Sequence, residues 1–135
     1  MLDCKKLSLA DVKTIGAAAE AEAGRRGLAV SIAICDEGGH LLWFQRMDHV
    51  PLLTVGIVVA KARTAALGKR PTSVFQQMID GTMPSLAVAP GMEGALEGGV
   101  PILAAGEVVG GIAASGGSGE DDAAIAQAGA AALLA

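Results

Sequence analysis

The sequence predicts an α+β domain in which helices flank a mainly antiparallel, five-stranded sheet. The first observation is the order of the elements: a helix-like segment, a hairpin-like pair of strands and a second segment of helical length. The second is a pair of β-branched runs that one glycine separates, which is typical of a hairpin. The third is a glycine-rich turn that leads into an Ala-rich helix. We expect all 135 residues to form a single domain.

The first part of the chain has the pattern of a helix followed by a hairpin. Residues 9–23 carry apolar side chains near the helical period, and Ser8 with Asp11 resembles a capping box at their start. Residues 29–34 alternate between larger and smaller side chains, as a half-buried strand does. An Asp-Glu-Gly-Gly turn follows, so residues 41–46 are predicted to return as the second strand.

Residues 51–67 form the second predicted helix, although several of them are β-branched. A proline near the start, and a glycine and a proline at the end, are typical of helix boundaries. Apolar residues cover nearly the whole circumference, so we expect this helix in the core or between subunits. Lys61 and Thr64 lie three positions apart on one side of it, whereas Arg63 must point elsewhere.

The last part of the chain predicts three further strands and a helix. Residues 86–89 are interpreted as a short strand within an irregular, proline-rich segment. Residues 100–105 and 107–115 are predicted to form a hairpin, with Gly106 as the first residue of its turn. The final helix is predicted over residues 121–134.

Composition excludes several classes of partner. A net charge of −4, ten Lys plus Arg and 2% aromatic residues provide neither phosphate neutralisation nor base stacking, so we expect no nucleic acid partner. No apolar stretch is long enough to cross a membrane. Cys4 and Cys35 lack metal-binding spacing, and we expect reduced thiols and a cytoplasmic location. Since 52% of the residues are hydrophobic, we also expect a homo-oligomer.

The junction between the last strand and the last helix is the first place to look for a site. Glycines allow close approach of a ligand, and a helix start presents unpaired N–H groups. A phosphate-binding loop is excluded, because Glu120 and Asp121 follow Gly119 where Lys and Ser or Thr are needed. A dinucleotide-binding pattern is missing as well. Three carboxylates at the helix start favour a capping role for this acidic segment.

Four ordered motifs make the chain similar to a known family. They are Arg46-Met47-Asp48, Lys61-Ala62-Arg63-Thr64-Ala65, Gly98-Gly99-Val100-Pro101-Ile102, and the run from Val109 to Gly117. The chain resembles the GlcG/HbpS family, including the C-terminal domain of PduO-type proteins. The resemblance implies a PAS- or profilin-like arrangement of sheet and helices, assembly into oligomers that are often octameric, and haem binding in some members.

The resemblance also implies a pocket formed by the loop at residues 46–49, the helix at residues 61–64 and the strand end at residues 110–117. The ligand-binding residues predicted there are Arg46, Lys61, Arg63, Thr64, Ser115 and Gly116. His49 is a departure, since a small neutral pair is expected after the first motif. An imidazole can bind a metal or move a proton near neutral pH.

We interpret the protein as a small-molecule-binding protein whose ligand is haem or a related tetrapyrrole. A haem iron needs an axial donor in an apolar setting, and His49 is the preferred candidate. The available donors in the sequence are His40, His49, Met47, Cys35 and Met83. No spacing typical of any other metal site is present.

Two other functions stay open at this level. The first is a cofactor-independent isomerase or lyase acting on a small organic acid, with Asp48 and His49 moving a proton and Arg46 or Arg63 binding the carboxylate. In the alternative interpretation, Arg46 and Asp48 pair with each other or with Lys61 and only hold the loop. The second function is a purely structural scaffold subunit.

Overall fold

A four-stranded antiparallel sheet forms the centre of the computed structural model, which describes residues 1–133. The strands are β1 (Ser31–Asp36), β2 (Leu41–Arg46), β3 (Gly99–Ala104) and β4 (Glu107–Ser115). Their order across the sheet is β2-β1-β4-β3, and every neighbouring pair is antiparallel. The predicted α+β class and antiparallel pairing are confirmed.

The prediction of a fifth strand over residues 86–89 is wrong. This segment belongs to a short 3-10 helix, Pro84–Val88, in which no residue is buried. Pro84 stands at its start, where a fixed φ suits a helical turn. Val88 is 87% exposed, so the segment has no apolar face to bury against the sheet, which is what a strand would need.

Four α-helices surround the sheet within the described residues: α1 (Leu9–Arg25), α2 (Thr54–Gly68), α3 (Thr72–Asp80) and α4 (Gly119–Ala130). The predicted capping box begins α1, since the Ser8 hydroxyl accepts from the Asp11 amide at 3.1 Å and the Asp11 carboxylate accepts from the Ser8 amide at 2.8 Å. The predicted end of the last helix, Leu134, lies outside the described residues. Of the described helices, none has the length and apolarity that crossing a membrane requires.

The helices lie on both faces of the sheet, and the alternation of β1 assigns each residue to a face. Ile32 and Ile34 pack in one core cluster with α1 and α4. Ala33 and Cys35 pack in a second cluster against α2. A Cβ at Gly111 of β4 would lie 2.3 Å from a backbone oxygen of α2, so this glycine allows the helix to approach the sheet closely.

The hairpin between β3 and β4 turns one residue earlier than predicted. Ala105 has a φ of 50° and Gly106 a φ of 80°, so these two residues form the turn and Glu107 already pairs with Ala104. Positive φ at both central residues is the geometry that matches the twist of a two-residue hairpin. Pro101 lies on β3, an edge strand, opposite the central strand β4.

Candidate functional site

The glycine turn after β4 brings the strand end against the start of α4. Ser118 caps the helix, because its hydroxyl accepts from the Asp121 amide at 3.1 Å. The carboxylate of Asp122 accepts from the Gly117 amide at 2.9 Å, which fixes the turn. The capping interpretation of the acidic segment therefore describes part of the structure, but Asp122 also has a second partner.

A buried ion pair joins Lys61 of α2 to Asp122 of α4. The Lys61 Nζ atom donates to Asp122 Oδ2 at 3.2 Å and to the Ala114 carbonyl oxygen of β4 at 3.1 Å. Both side chains are at most 4% exposed. One ammonium group thus connects three elements, and a buried charge of this kind needs its partner.

The partner of Lys61 differs from the one that sequence reasoning considered. Within the described residues, neither Arg46 nor Asp48 forms an ion pair, so the suggestion that they pair with each other or with Lys61 is not realised. The missed residue is Asp122. Its signal was its position, since Asp122 precedes Ile125, Ala126 and Gly129 at helical spacing and so lies on the buried face of α4.

A cleft of about 360 Å³ opens beside this ion pair, between α2, α3 and the start of α4. It contains Lys61 and Ser115 from the predicted site, together with residues that the prediction missed or left unplaced. The lining residues are Ile57, Lys61, Gln76, Leu96, Glu97, Ser115, Gly117, Gly119 and Asp122. Its volume is near the lower end of the range of ligand pockets, roughly 300–1,000 Å³.

The loop that carries Arg46, Asp48 and His49 lies outside the cleft, and all three residues are exposed. His49 has a φ of 70°, a left-handed conformation that only a minority of residues other than glycine adopt. Val50 is 6% exposed and packs beside Gly116, where an added Cβ would lie 3.0 Å from its methyl group. Gly116 therefore contacts the loop, whereas its neighbour Ser115 faces the cleft.

Arg63 and Thr64 also lie away from the loop. The Arg63 side chain packs beside Gly39 in the β1–β2 turn, whereas Arg46 pairs with Ser31 at the other end of β1. The six residues of β1 separate those two ends by about 16 Å. The Thr64 hydroxyl donates to the Gly91 carbonyl oxygen at 2.6 Å and accepts from the Gly94 amide at 3.0 Å, so it holds the 91–94 loop.

The second histidine lies in the β1–β2 turn, next to an acidic partner. His40 Nδ1 is 3.3 Å from Asp36 Oδ1, and the His40 side chain is 79% exposed. Burial raises the pKa of Asp36, but the His40 and Gly38 amides and the nearby imidazole outweigh burial and lower the pKa overall. In residues 1–133, no three or more His, Cys, Asp or Glu side chains form a group that could hold a metal ion.

Comparison with known proteins gives consistent relationships over nearly the whole chain. The model of the family described as haem degrading protein HbpS-like matches residues 7–131. Protein GlcG of Escherichia coli is 41% identical over 109 residues, which are 81% of this chain and 81% of that protein. A double mutant of Streptomyces reticuli HbpS has a TM-score of 0.91 and 32% identity, covering 100% of this chain and 92% of that one. PduOC, solved as a haem complex, has a TM-score of 0.87 and 27% identity over 96% of each chain.

Proposed function

We infer that this chain, which belongs to the HbpS-like family, binds haem or a related tetrapyrrole. The resemblance noted in the sequence motifs is confirmed by the family model and by the 41% identity to GlcG. Support for the ligand comes from the family description and from PduOC, a structural neighbour that was solved with haem. Fold alone does not fix function, so the proposal also requires suitable residues in this chain.

The segment from Arg46 to Leu53 provides the donor types that a haem needs. His49 is exposed, so its imidazole nitrogens are accessible to an iron ion. Leu52 and Leu53 are 70% and 77% exposed, and they offer an apolar surface to a macrocycle. Arg46 adds a cation that suits a propionate group. This exposed imidazole beside two exposed leucines is the observation that carries the proposal.

The loop that carries His49 is fixed to the sheet by one buried residue. Val50 is buried between the exposed side chains and packs at Gly116, so the loop is anchored to the end of β4. The residues that would hold haem are His49 as a ligand of the iron, Leu52 and Leu53 as the apolar contact and Arg46 as the partner of a propionate group. When bound, haem supplies an iron centre whose reactivity depends on its axial ligand.

The test is a haemin titration followed through the Soret band, with His49→Ala as the variant and His40→Ala as the matched control. Both histidines are exposed and lie in turns, so neither substitution removes core packing. We expect a saturable Soret band for the wild type and for His40→Ala. For His49→Ala we expect the band at a different wavelength and an affinity for haemin that is at least about tenfold lower. A wild type without a saturable band would overturn haem binding. An unchanged spectrum and affinity in His49→Ala would overturn the role of His49.

The acid/base role of Asp48 and His49 stays a prediction. Both side chains are exposed, and neither lines the cleft beside Lys61. Acid/base catalysts act on a substrate that the protein holds within hydrogen-bond reach of them. No observation therefore favours the small-organic-acid enzyme over haem binding, and we do not carry that alternative further.

A further inference from the structure

The cleft beside the Lys61–Asp122 pair has the features of a second ligand site, separate from the His49 loop. Its polar groups come from four elements: Lys61 from α2, Gln76 from α3, Ser115 from β4 and Glu97 from the segment before β3. Ile57 and Leu96 provide apolar contact. Polar groups that converge beside apolar side chains are common in small-molecule sites.

Ser115 contributes a hydroxyl group to the lining of the cleft. The residue is only 5% exposed and lines the cleft. Ser31, its neighbour across the sheet, uses its hydroxyl in a 2.9 Å hydrogen bond to Thr54. A hydroxyl both donates and accepts hydrogen bonds, so the Ser115 side chain is suited to a polar group that enters the cleft.

Two further donors are positioned for the same occupant. The Lys61 ammonium group has three N–H bonds, of which Asp122 and Ala114 take two. The Gln76 side-chain oxygen accepts from the Glu97 amide at 2.8 Å, which orients the Gln76 amide group at the cleft. A carbonyl oxygen in the cleft would therefore find the ammonium group of Lys61 and the amide group of Gln76 as donors, beside the Ser115 hydroxyl.

The charge of the cleft restricts the occupant. The charges of Lys61 and Asp122 compensate each other, and Glu97 adds a carboxylate that has no ion-pair partner in the described part of the chain. An anionic ligand would be repelled by Glu97, whereas a hydroxyl group could donate to it. The site thus favours a neutral molecule over a carboxylate of the same size.

We propose that this cleft binds a small neutral hydroxycarbonyl compound. Its carbonyl oxygen accepts from Ser115 and Lys61, its hydroxyl donates to Glu97, and its carbon chain contacts Ile57. The volume of about 360 Å³ is large enough to admit a compound of this size. This site is independent of haem binding, since none of the residues proposed to hold haem lines the cleft.

The experiment is an NMR titration of the amide signals with hydroxyacetone and with glycolate, which carries a carboxylate oxygen where hydroxyacetone has its methyl group. We expect hydroxyacetone to shift the Ser115, Gly117 and Gly119 amides saturably, and glycolate to bind at least about tenfold more weakly. Ser115→Ala should weaken hydroxyacetone by about tenfold or more, because it removes a donor from the cleft. Glu97→Gln removes the charge that repels glycolate, so it should bring the affinities for hydroxyacetone and glycolate closer together.

Controls keep the test independent of folding and of haem. Ser115→Ala and Glu97→Gln must retain the wild-type amide spectrum away from the cleft, and His49→Ala should bind hydroxyacetone as the wild type does. Three results would overturn the proposal: no saturable shift with hydroxyacetone, glycolate binding as tightly as hydroxyacetone, or unchanged binding in Ser115→Ala. Loss of hydroxyacetone binding in His49→Ala would contradict the separation of the two sites.

Discussion

Lys61→Met is expected to destabilise the protein by about 3–5 kcal/mol, because it leaves Asp122 as an uncompensated buried charge. The Lys61 Nζ atom makes two hydrogen bonds, at 3.1 Å to Ala114 and 3.2 Å to Asp122, and both side chains are at most 4% exposed. Hydrogen bonds that involve a charged group contribute about 1.5–3 kcal/mol each, and two of them give about 3–6 kcal/mol, which overlaps this range. The Gly117 amide still donates to Asp122 and prevents a larger loss.

The assay is urea unfolding of the wild type, Lys61→Met, Asp122→Asn and the double variant at one protein concentration. Asp122→Asn retains an oxygen for the Gly117 amide while it removes the charge. We expect the double variant to lose less unfolding free energy than the two single variants lose in sum, by about 2 kcal/mol or more. The reason is that neither charge remains unpaired in the double variant. Lys13→Met, on the exposed side of α1, should change stability by less than about 0.5 kcal/mol. A loss below about 1 kcal/mol for Lys61→Met, or strictly additive losses, would refute the coupling.

Two more predictions concern packing and thiol chemistry. Gly111→Ala is expected to lower stability by about 1–3 kcal/mol, since its Cβ would lie 2.3 Å from the Ala62 carbonyl oxygen. Gly24→Ala is the control, since no atom lies within 4 Å of its added Cβ, and it should leave the melting temperature unchanged or raise it. Equal stability of the two variants would contradict the close contact at Gly111. Burial raises the pKa of Cys35 to about 11, so a thiol reagent should label exposed Cys4 rapidly and Cys35 only after unfolding. The contribution of the neutral Cys35 thiol to folding stability is present below its ordinary pKa of 9.0 and is lost as pH rises through about 11. Rapid labelling of both thiols in the native protein would contradict the burial of Cys35.

Local patterns predicted most of the fold, since they depend on neighbours in the chain. The capping box at Ser8 and the alternation of β1 follow from residues a few positions apart, and both are present in the structure. Residues 86–89 have the side chains of a strand but do not join the sheet, and none of them is buried. The expected homo-oligomer depends on a second copy of the chain, and it stays a prediction.

The candidate site could be predicted only in part, because its geometry depends on pairing between distant segments. Helical spacing correctly separated Lys61 from Arg63, but it could not tell which end of the sheet each residue would reach. That depends on how α2 packs across β1 and β4. A lysine on an apolar helix needs a partner when it is buried, and the helical position of Asp122 marks that carboxylate as a candidate.

Pro101 has a consequence for how copies of this protein can associate through their sheets. A strand from another molecule that lined up along β3 would meet a missing backbone donor in the middle of the strand. The opposite edge, β2, contains no proline and presents an uninterrupted backbone. The sheet therefore resists polymerisation on one side, and any chain-to-chain β-pairing would be directed to β2.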